Sequence, residues 1–151
     1  MTIALTALTL FLAAAPEKHM KFDAVPEVVR TKVHQKYPQA KVIDAELETD
    51  AKGQTVYEVK LTVGTVKTEL SFTADGVLIS EERVVPWKSV PAEVQKALAS
   101  SAAKDLKVER VEEVTEGDVV TWELAGKRAD GKRVEVVIDH QGNVEVKAAT
   151  E

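Results

Sequence analysis

The chain repeats itself. Val25-Pro26-Glu27-Val28-Val29 returns as Val90-Pro91-Ala92-Glu93-Val94, and Lys41-Val42 returns as Lys107-Val108. Val56-Tyr57-Glu58-Val59 is echoed by Thr121-Trp122-Glu123-Leu124, and Asp75-Gly76-Val77 by Gln141-Gly142-Asn143-Val144. The four pairs keep their order and are each displaced by 65 or 66 positions (25 to 90, 41 to 107, 56 to 121, 75 to 141). Self-similarity at a fixed period marks a structural unit used more than once. Whatever the first segment folds into, the second is expected to fold into as well, and 151 residues leave room for two very small units.

Each copy opens with Val-Pro, which puts proline where a missing N–H leaves no helical bond unmade. In the first copy Val25, Val29 and Val33 form an apolar stripe with Val28 beside it, and Arg30, Lys32, Gln35 and Lys36 lie elsewhere, the pattern of an amphipathic helix. Tyr37-Pro38 ends it, because a residue before proline disfavours helical backbone. In the second copy Val94, Leu98 and Ala102 keep helical spacing, and the helix is expected to end near Lys104-Asp105.

After each helix the period shifts to two. Tyr57, Val59, Leu61 and Val63 alternate with Glu58, Lys60 and Thr62, and Leu70 and Phe72 alternate with Glu69, Ser71 and Thr73. Trp122 and Leu124, then Val134, Val136 and Ile138, do the same in the second copy. Such alternation predicts strands with one buried and one wet face. Turn residues separate the runs at Asp50-Ala51-Lys52-Gly53, Val63-Gly64-Thr65, Asp75-Gly76, Gly117-Asp118, Asp130-Gly131 and Gln141-Gly142. Val108, Val111 and Val114 are spaced by three, which suits a helix as well as a bulged strand. Their correspondence to Val42–Glu48 favours the strand.

The expected fold is therefore α+β: a tandem repeat of a helix plus a four-stranded antiparallel sheet, with the helix packed on one sheet face. Residues 22–85 form the first unit and 86–151 the second, joined by Pro86-Trp87-Lys88-Ser89. The opposite sheet face is expected to carry Glu58, Lys60 and Glu69, with Glu123 and Glu135 as counterparts.

Ahead of the repeat, Met1 to Ala15 has no charged residue and Ile3 to Leu12 is mostly apolar, followed by Ala13-Ala14-Ala15. The run is too short for a stable membrane helix, which needs about 20 residues, and it fits a secretory signal peptide. We expect residues 1–15 to be that signal, 16–21 a flexible flank, and the remainder a periplasmic or secreted protein without a stable membrane span.

The Val-Pro helix openings, the Tyr37-Pro38 break, the Tyr57-Glu58-Val59 strand core and the Asp75-Gly76 hairpin together resemble the PepSY-like domains, also described as putative β-lactamase-inhibitor-like. The resemblance covers about Phe22 to Ala148. It implies an exported, often periplasmic protein that inhibits or regulates peptidases, or binds ligands in the cell envelope. The second copy departs from the pattern with Ala102-Ala103-Lys104-Asp105 in place of Tyr-Pro and Gln141-Gly142 in place of Asp-Gly. The chain also lacks the lipobox cysteine of a lipid-anchored member.

A formal net charge of −5 repels a polyphosphate backbone, so nucleic acid is not an expected partner. The absence of cysteine removes disulfides, thiolate metal sites and thiol nucleophiles. His19, His34 and His140 stand without a nucleophile motif, and neither a Gly-rich phosphate loop nor a dinucleotide fingerprint occurs, so no catalytic residue and no cofactor are expected. Carboxylates are abundant: Glu46, Glu48 and Asp50; Glu81-Glu82; Glu109, Glu112, Glu113 and Glu116. Glu46 and Glu48 share a strand face and are weak candidates for a hard cation, although a solvated sheet face is the simpler reading. His19-Met20 is a weaker candidate still, for a soft metal. Trp87, between the copies, either seals their junction or anchors a partner. The expectation is a non-catalytic, monomeric binding or regulatory protein meeting an unidentified envelope protein through Trp87, Glu58, Lys60, Glu69 and Glu123. A protein binding a small ligand or metal cation is the alternative.

Overall fold

The computed structural model describes residues 18–50 and 52–148; the expected signal peptide lies outside them. The order of elements is β1 (Lys18–Met20), α1 (Glu27–Lys36), β2 (Lys41–Thr49), β3 (Thr55–Val63), β4 (Val66–Thr73), β5 (Leu78–Val84), α2 (Ala92–Ser100), β6 (Lys107–Glu116), β7 (Val119–Lys127), β8 (Arg133–Asp139) and β9 (Val144–Ala148). One-turn 3-10 segments, Phe22–Ala24 and Trp87–Ser89, precede the two helices.

These elements correct the expected fold class. The strands do not divide into two helix-plus-four-strand units: all nine form one continuous antiparallel sheet, each strand hydrogen-bonded to the next in sequence order. The seam is β5 with β6, paired from Glu81↔Thr115 to Val84↔Glu112. The molecule is thus predominantly β, with helices of only ten and nine residues. The physical reason lies at the strand edges. Two separate sheets would leave β5 and β6 each with a row of unpaired N–H and C=O groups, and pairing them satisfies both rows at once. The flank expected at 16–21 likewise contributes β1, an edge strand on β2 with His19 opposite Glu46.

Both helices lie on one face of the sheet, each over its own apolar cluster. Val25, Val29 and Val33 pack with Ala45, Val59, Leu61, Leu70 and Phe72. Val90, Val94 and Leu98 pack with Val111, Trp122, Leu124, Val136 and Ile138. Burying a side chain of this size contributes about 1.5–3 kcal/mol, so the Val-Pro openings bring in the residues that hold each helix down. Pro26 and Pro91 sit immediately before the helices, and their carbonyls accept from Arg30 N and Gln95 N at 3.0 and 3.1 Å. Tyr37 leaves helical backbone at φ −134° before Pro38, as expected. The second helix stops earlier than the expected Lys104-Asp105: Ser101 turns extended, and its hydroxyl accepts from Ala103 N at 3.0 Å.

The valines spaced by three are explained by a bulge. Pairing between β6 and β7 shifts between Val108 and Arg110, so Val108 and Val111 both face α2 while Val114 faces the other side. The β2–β3 pair shifts in the same way between Val42 and Asp44. Gly76 makes the β4–β5 turn at φ +82°, a conformation that glycine adopts without strain. A Cβ there would also stand 2.8 Å from Val28 Cγ2.

Candidate functional site: the helix-free face of the sheet

Register and alternation place the polar strand positions on the face away from both helices. Across β2 to β4 these are Asp44, Glu46, Glu58, Lys60 and Glu69, with Glu46↔Glu58, Asp44↔Lys60 and Lys60↔Glu69 directly opposed. Glu69 opposes Glu82 on β5, and Val84 opposes Glu112 across the seam. Glu112 opposes Glu123 on β7, and Ala125 opposes Glu135 on β8. A band of carboxylates therefore crosses the sheet through Glu58, Glu69, Glu82, Glu112, Glu123 and Glu135. Val114 and Val137 on this face are only 4% and 1% exposed although no described helix covers them, as in a curled sheet whose side chains crowd together.

The two ends of the band differ in how their charge is met. At the β1–β3 end Lys60 Nζ lies 2.7 Å from Glu46 Oε2 and 3.0 Å from Glu58 Oε1. His19 Nδ1 lies 2.9 Å from Asp44 Oδ2 and 3.1 Å from Glu46 Oε1. Burial alone would lower the Lys60 ammonium's pKa, but its hydrogen bonds to Glu46 and Glu58 outweigh that and raise it. Ligand atoms of His19, Asp44 and Glu46 all lie within 4.8 Å of one another, as do those of Glu46, Glu48 and Glu58.

Towards β8 the acids outnumber the cations. Burial, then the negative charge of Glu58, a hydrogen bond to Glu58 and the charge of Glu82, raise Glu69 well above the carboxylate range. Burial, then the charges of Glu112 and Glu58, push Glu82 up to about 7. Burial, then Glu135 and Glu82, push Glu123 up to about 8. Burial also raises Glu112, although Arg110 sits 3.1 Å away and opposes it. Burial, with like charges on facing strand positions, holds these carboxyls above the ordinary carboxylate range.

A groove of about 790 Å³ opens beside the band where the β3–β4 turn meets the exit of β5. Ile43, Val66, Val84, Val85 and Pro86 give it an apolar side; Glu69, Glu82 and Glu112, interleaved with Lys60, Lys67 and Arg110, give it a charged one.

Of the residues singled out in the sequence, Glu58, Lys60, Glu69 and Glu123 come together on this one face. Glu46 and Glu48 lie on the same face at the β2 end. Trp87 does not join them. It stands in the 3-10 turn before α2, 38% exposed, with its carbonyl accepting from Gln95 Nε2 at 3.5 Å. Tyr57 and Trp122 both pack into the helix-side clusters. His34 is exposed and meets the Phe22 ring edge-on at 5.7 Å, and His140 is exposed in the β8–β9 turn. Sequence reading missed Glu82 and Glu112 as members of the band and His19 as a partner of Asp44 and Glu46. Alternation could have put Glu82 on the Glu69 side of the sheet, but nothing local announces the β5–β6 seam. Glu81, the neighbour of Glu82, faces the helices, where it accepts from the Tyr37 hydroxyl and pairs with Lys36 Nζ at 2.8 Å.

Comparison with curated proteins returned no match. Among solved structures, a protein described as a putative periplasmic protein from Bacteroides eggerthii superimposes with TM-score 0.67 at 21% identity, over 82% of this chain and 88% of that one. A DUF2874 family protein from Bacteroides uniformis gives TM-score 0.69 at 16% identity, over 81% and 88%. A protein described as BLIP-like from Bacteroides fragilis gives 0.64 at 15%, over 83% and 89%. At these identities the likeness is one of fold. The family model described as "Putative beta-lactamase-inhibitor-like, PepSY-like" matches residues 14–80 and 55–145, two overlapping segments that together span most of the sequence. The chain belongs to the PepSY-like family.

Proposed function

We propose that this is an exported, non-catalytic binding protein of the cell envelope that docks a protein partner on the helix-free face of its sheet, in the manner of an inhibitor or regulatory module. The observation that carries the reading is the one-sided architecture. Both helices cover the same face, while the other carries the carboxylate band, with a groove of about 790 Å³ beside it. A broad face with an adjacent apolar recess is a surface on which a folded partner can bury area. Export is supported by the apolar run at residues 3–12, by the family, and by a structural neighbour described as periplasmic. No described helix is long and apolar enough to cross a membrane.

The test is affinity capture from envelope extracts of the source organism, with three immobilised baits: wild type, Glu58→Ala/Glu123→Ala, and Trp87→Ala. A discrete protein held by wild type and Trp87→Ala but lost from the double variant is the expected result. Retention by the double variant with loss from Trp87→Ala would move the docking surface to the helix side and refute the reading.

A second reading has one observation in its favour. The convergent oxygens of Glu46, Glu48 and Glu58, and of His19, Asp44 and Glu46, could hold a cation. Lys60 already supplies a positive charge to Glu46 and Glu58, so an incoming ion would have to displace it. Calorimetry with Ca²⁺ and Zn²⁺ on wild type and Glu46→Gln separates the two readings: micromolar binding abolished by Glu46→Gln would favour the cation.

A further inference from the structure

We propose that the middle of the carboxylate band, Glu82, Glu112 and Glu123, receives a lysine- or arginine-bearing segment of the partner whose intervening residues are apolar. The inference rests on the docking reading above and names the chemistry of what docks.

Three observations carry it. The first is a covered carboxyl without a hydrogen-bond partner, on which Lys147 acts as the opposing cation. Glu123 is only 8% exposed, faces Glu112 across β6–β7, and makes neither a hydrogen bond nor an ion pair among the described residues. On the adjacent strand Glu135 Oε1 is buried without a hydrogen-bond partner. A buried carboxylate without donors is expensive to keep, and a ligand bringing N–H donors and positive charge relieves that penalty with charge-assisted hydrogen bonds.

The second is spacing. The three-residue groupings with ligand atoms within 4.8 Å of one another lie at the β1–β3 end and do not include Glu82, Glu112 or Glu123. These three stand on successive strands of the sheet, and neighbouring strands are about 4.8 Å apart. The band is therefore too spread for one metal ion and matches several cationic groups carried along an extended chain.

The third is what adjoins the acids. Ile43 is 57% and Val66 39% exposed, and both line the groove that also reaches Glu69, Glu82 and Glu112. Lys60, Lys67 and Arg110 line the same groove, so the demand for positive charge comes from Glu123 and Glu135. The apolar wall favours a peptide whose cationic side chains are separated by apolar ones over a simple polyamine, which has nothing to bury there.

The test is isothermal titration of the full chain with three probes: a short peptide alternating lysine with leucine, the same peptide with serine in place of leucine, and spermine. Each is run at low and at physiological ionic strength. The lysine–leucine peptide is expected to bind tightest, to weaken with salt as surface-accessible charge pairs do, and to lose about tenfold or more in affinity to Glu82→Gln/Glu123→Gln, where two charge-assisted contacts are gone. Circular dichroism verifies that this variant is folded. Failure of the peptide to bind, equal affinity for the double variant, or spermine binding as tightly as the peptide would each overturn the proposal. Should the peptide fail while envelope capture is still lost on substituting the open face, docking stands and only this partner chemistry falls.

Discussion

Replacing Glu82 by glutamine should make the protein more stable, and increasingly so as the pH rises. Glu82 faces Glu69 across β4–β5 and feels the negative charges of Glu112, Glu58 and Glu135, with Arg110 as the opposing cation. Its pKa is pushed from 4.5 to about 7, chiefly by burial. A group with a raised folded-state pKa contributes stability in its protonated form. That contribution is fully present below the unfolded value near 4.5 and is lost as pH climbs through the folded value near 7. At about 1.4 kcal/mol per pH unit, ionised Glu82 destabilises the fold by about 3 kcal/mol at pH 8. The penalty is about 2 kcal/mol at pH 6 and a few tenths at pH 4.5. Glutamine keeps the shape and carries no charge, so urea unfolding of the wild type and Glu82→Gln should show a gap that opens over that range. A gap of constant size, or a variant less stable than wild type at pH 8, would show that neither burial nor its neighbours' charge raises Glu82. The description of the face as one of uncompensated acids would then be wrong.

Other consequences are equally direct. Gly126→Ala would put a Cβ 2.1 Å from the Lys107 carbonyl oxygen, beside the β6 bulge; a loss of about 2–3 kcal/mol in chemical denaturation is expected, and an unchanged midpoint would mean that the strands are not so close there. Leu61→Ala and Leu124→Ala, one in each apolar cluster and both fully buried, should each lower stability by about 2–5 kcal/mol. Loss of near-ultraviolet signal in a single cooperative transition for both would show that the continuous sheet couples the clusters. Tyr37→Phe removes the hydroxyl that Glu81 accepts from and should cost about 1 kcal/mol. In wild type, burial and that hydrogen bond push Tyr37 up to about 12, so spectrophotometric titration should show one of the two tyrosines ionising late and Tyr37→Phe should abolish that late phase.

Local residue patterns are enough to establish most of the helical and extended segments and which side of each strand is apolar enough to meet a helix. Val25, Val29 and Val33, and the alternation through Tyr57 to Val63, are local signals, since each depends only on the 3.6- or 2-residue period of its own segment. Alternation also sets Glu58, Lys60 and Glu69 opposite the apolar side of their strands and Glu123 opposite that of its own; that Glu123 shares a face with the other three depends on the seam. The joining of β5 to β6 is of another kind: it emerges only in the folded chain, and it converts an expected pair of small sheets into one of nine strands. The same seam brings Glu82 within reach of Glu112, thirty positions away, and edge pairing brings His19 to Asp44 and Glu46. Strand edges carry no side-chain code for their partner, because backbone N–H and C=O groups are the same at every residue. The charge accumulated on the open face therefore depends on long-range register, a quantity that no window of the sequence contains.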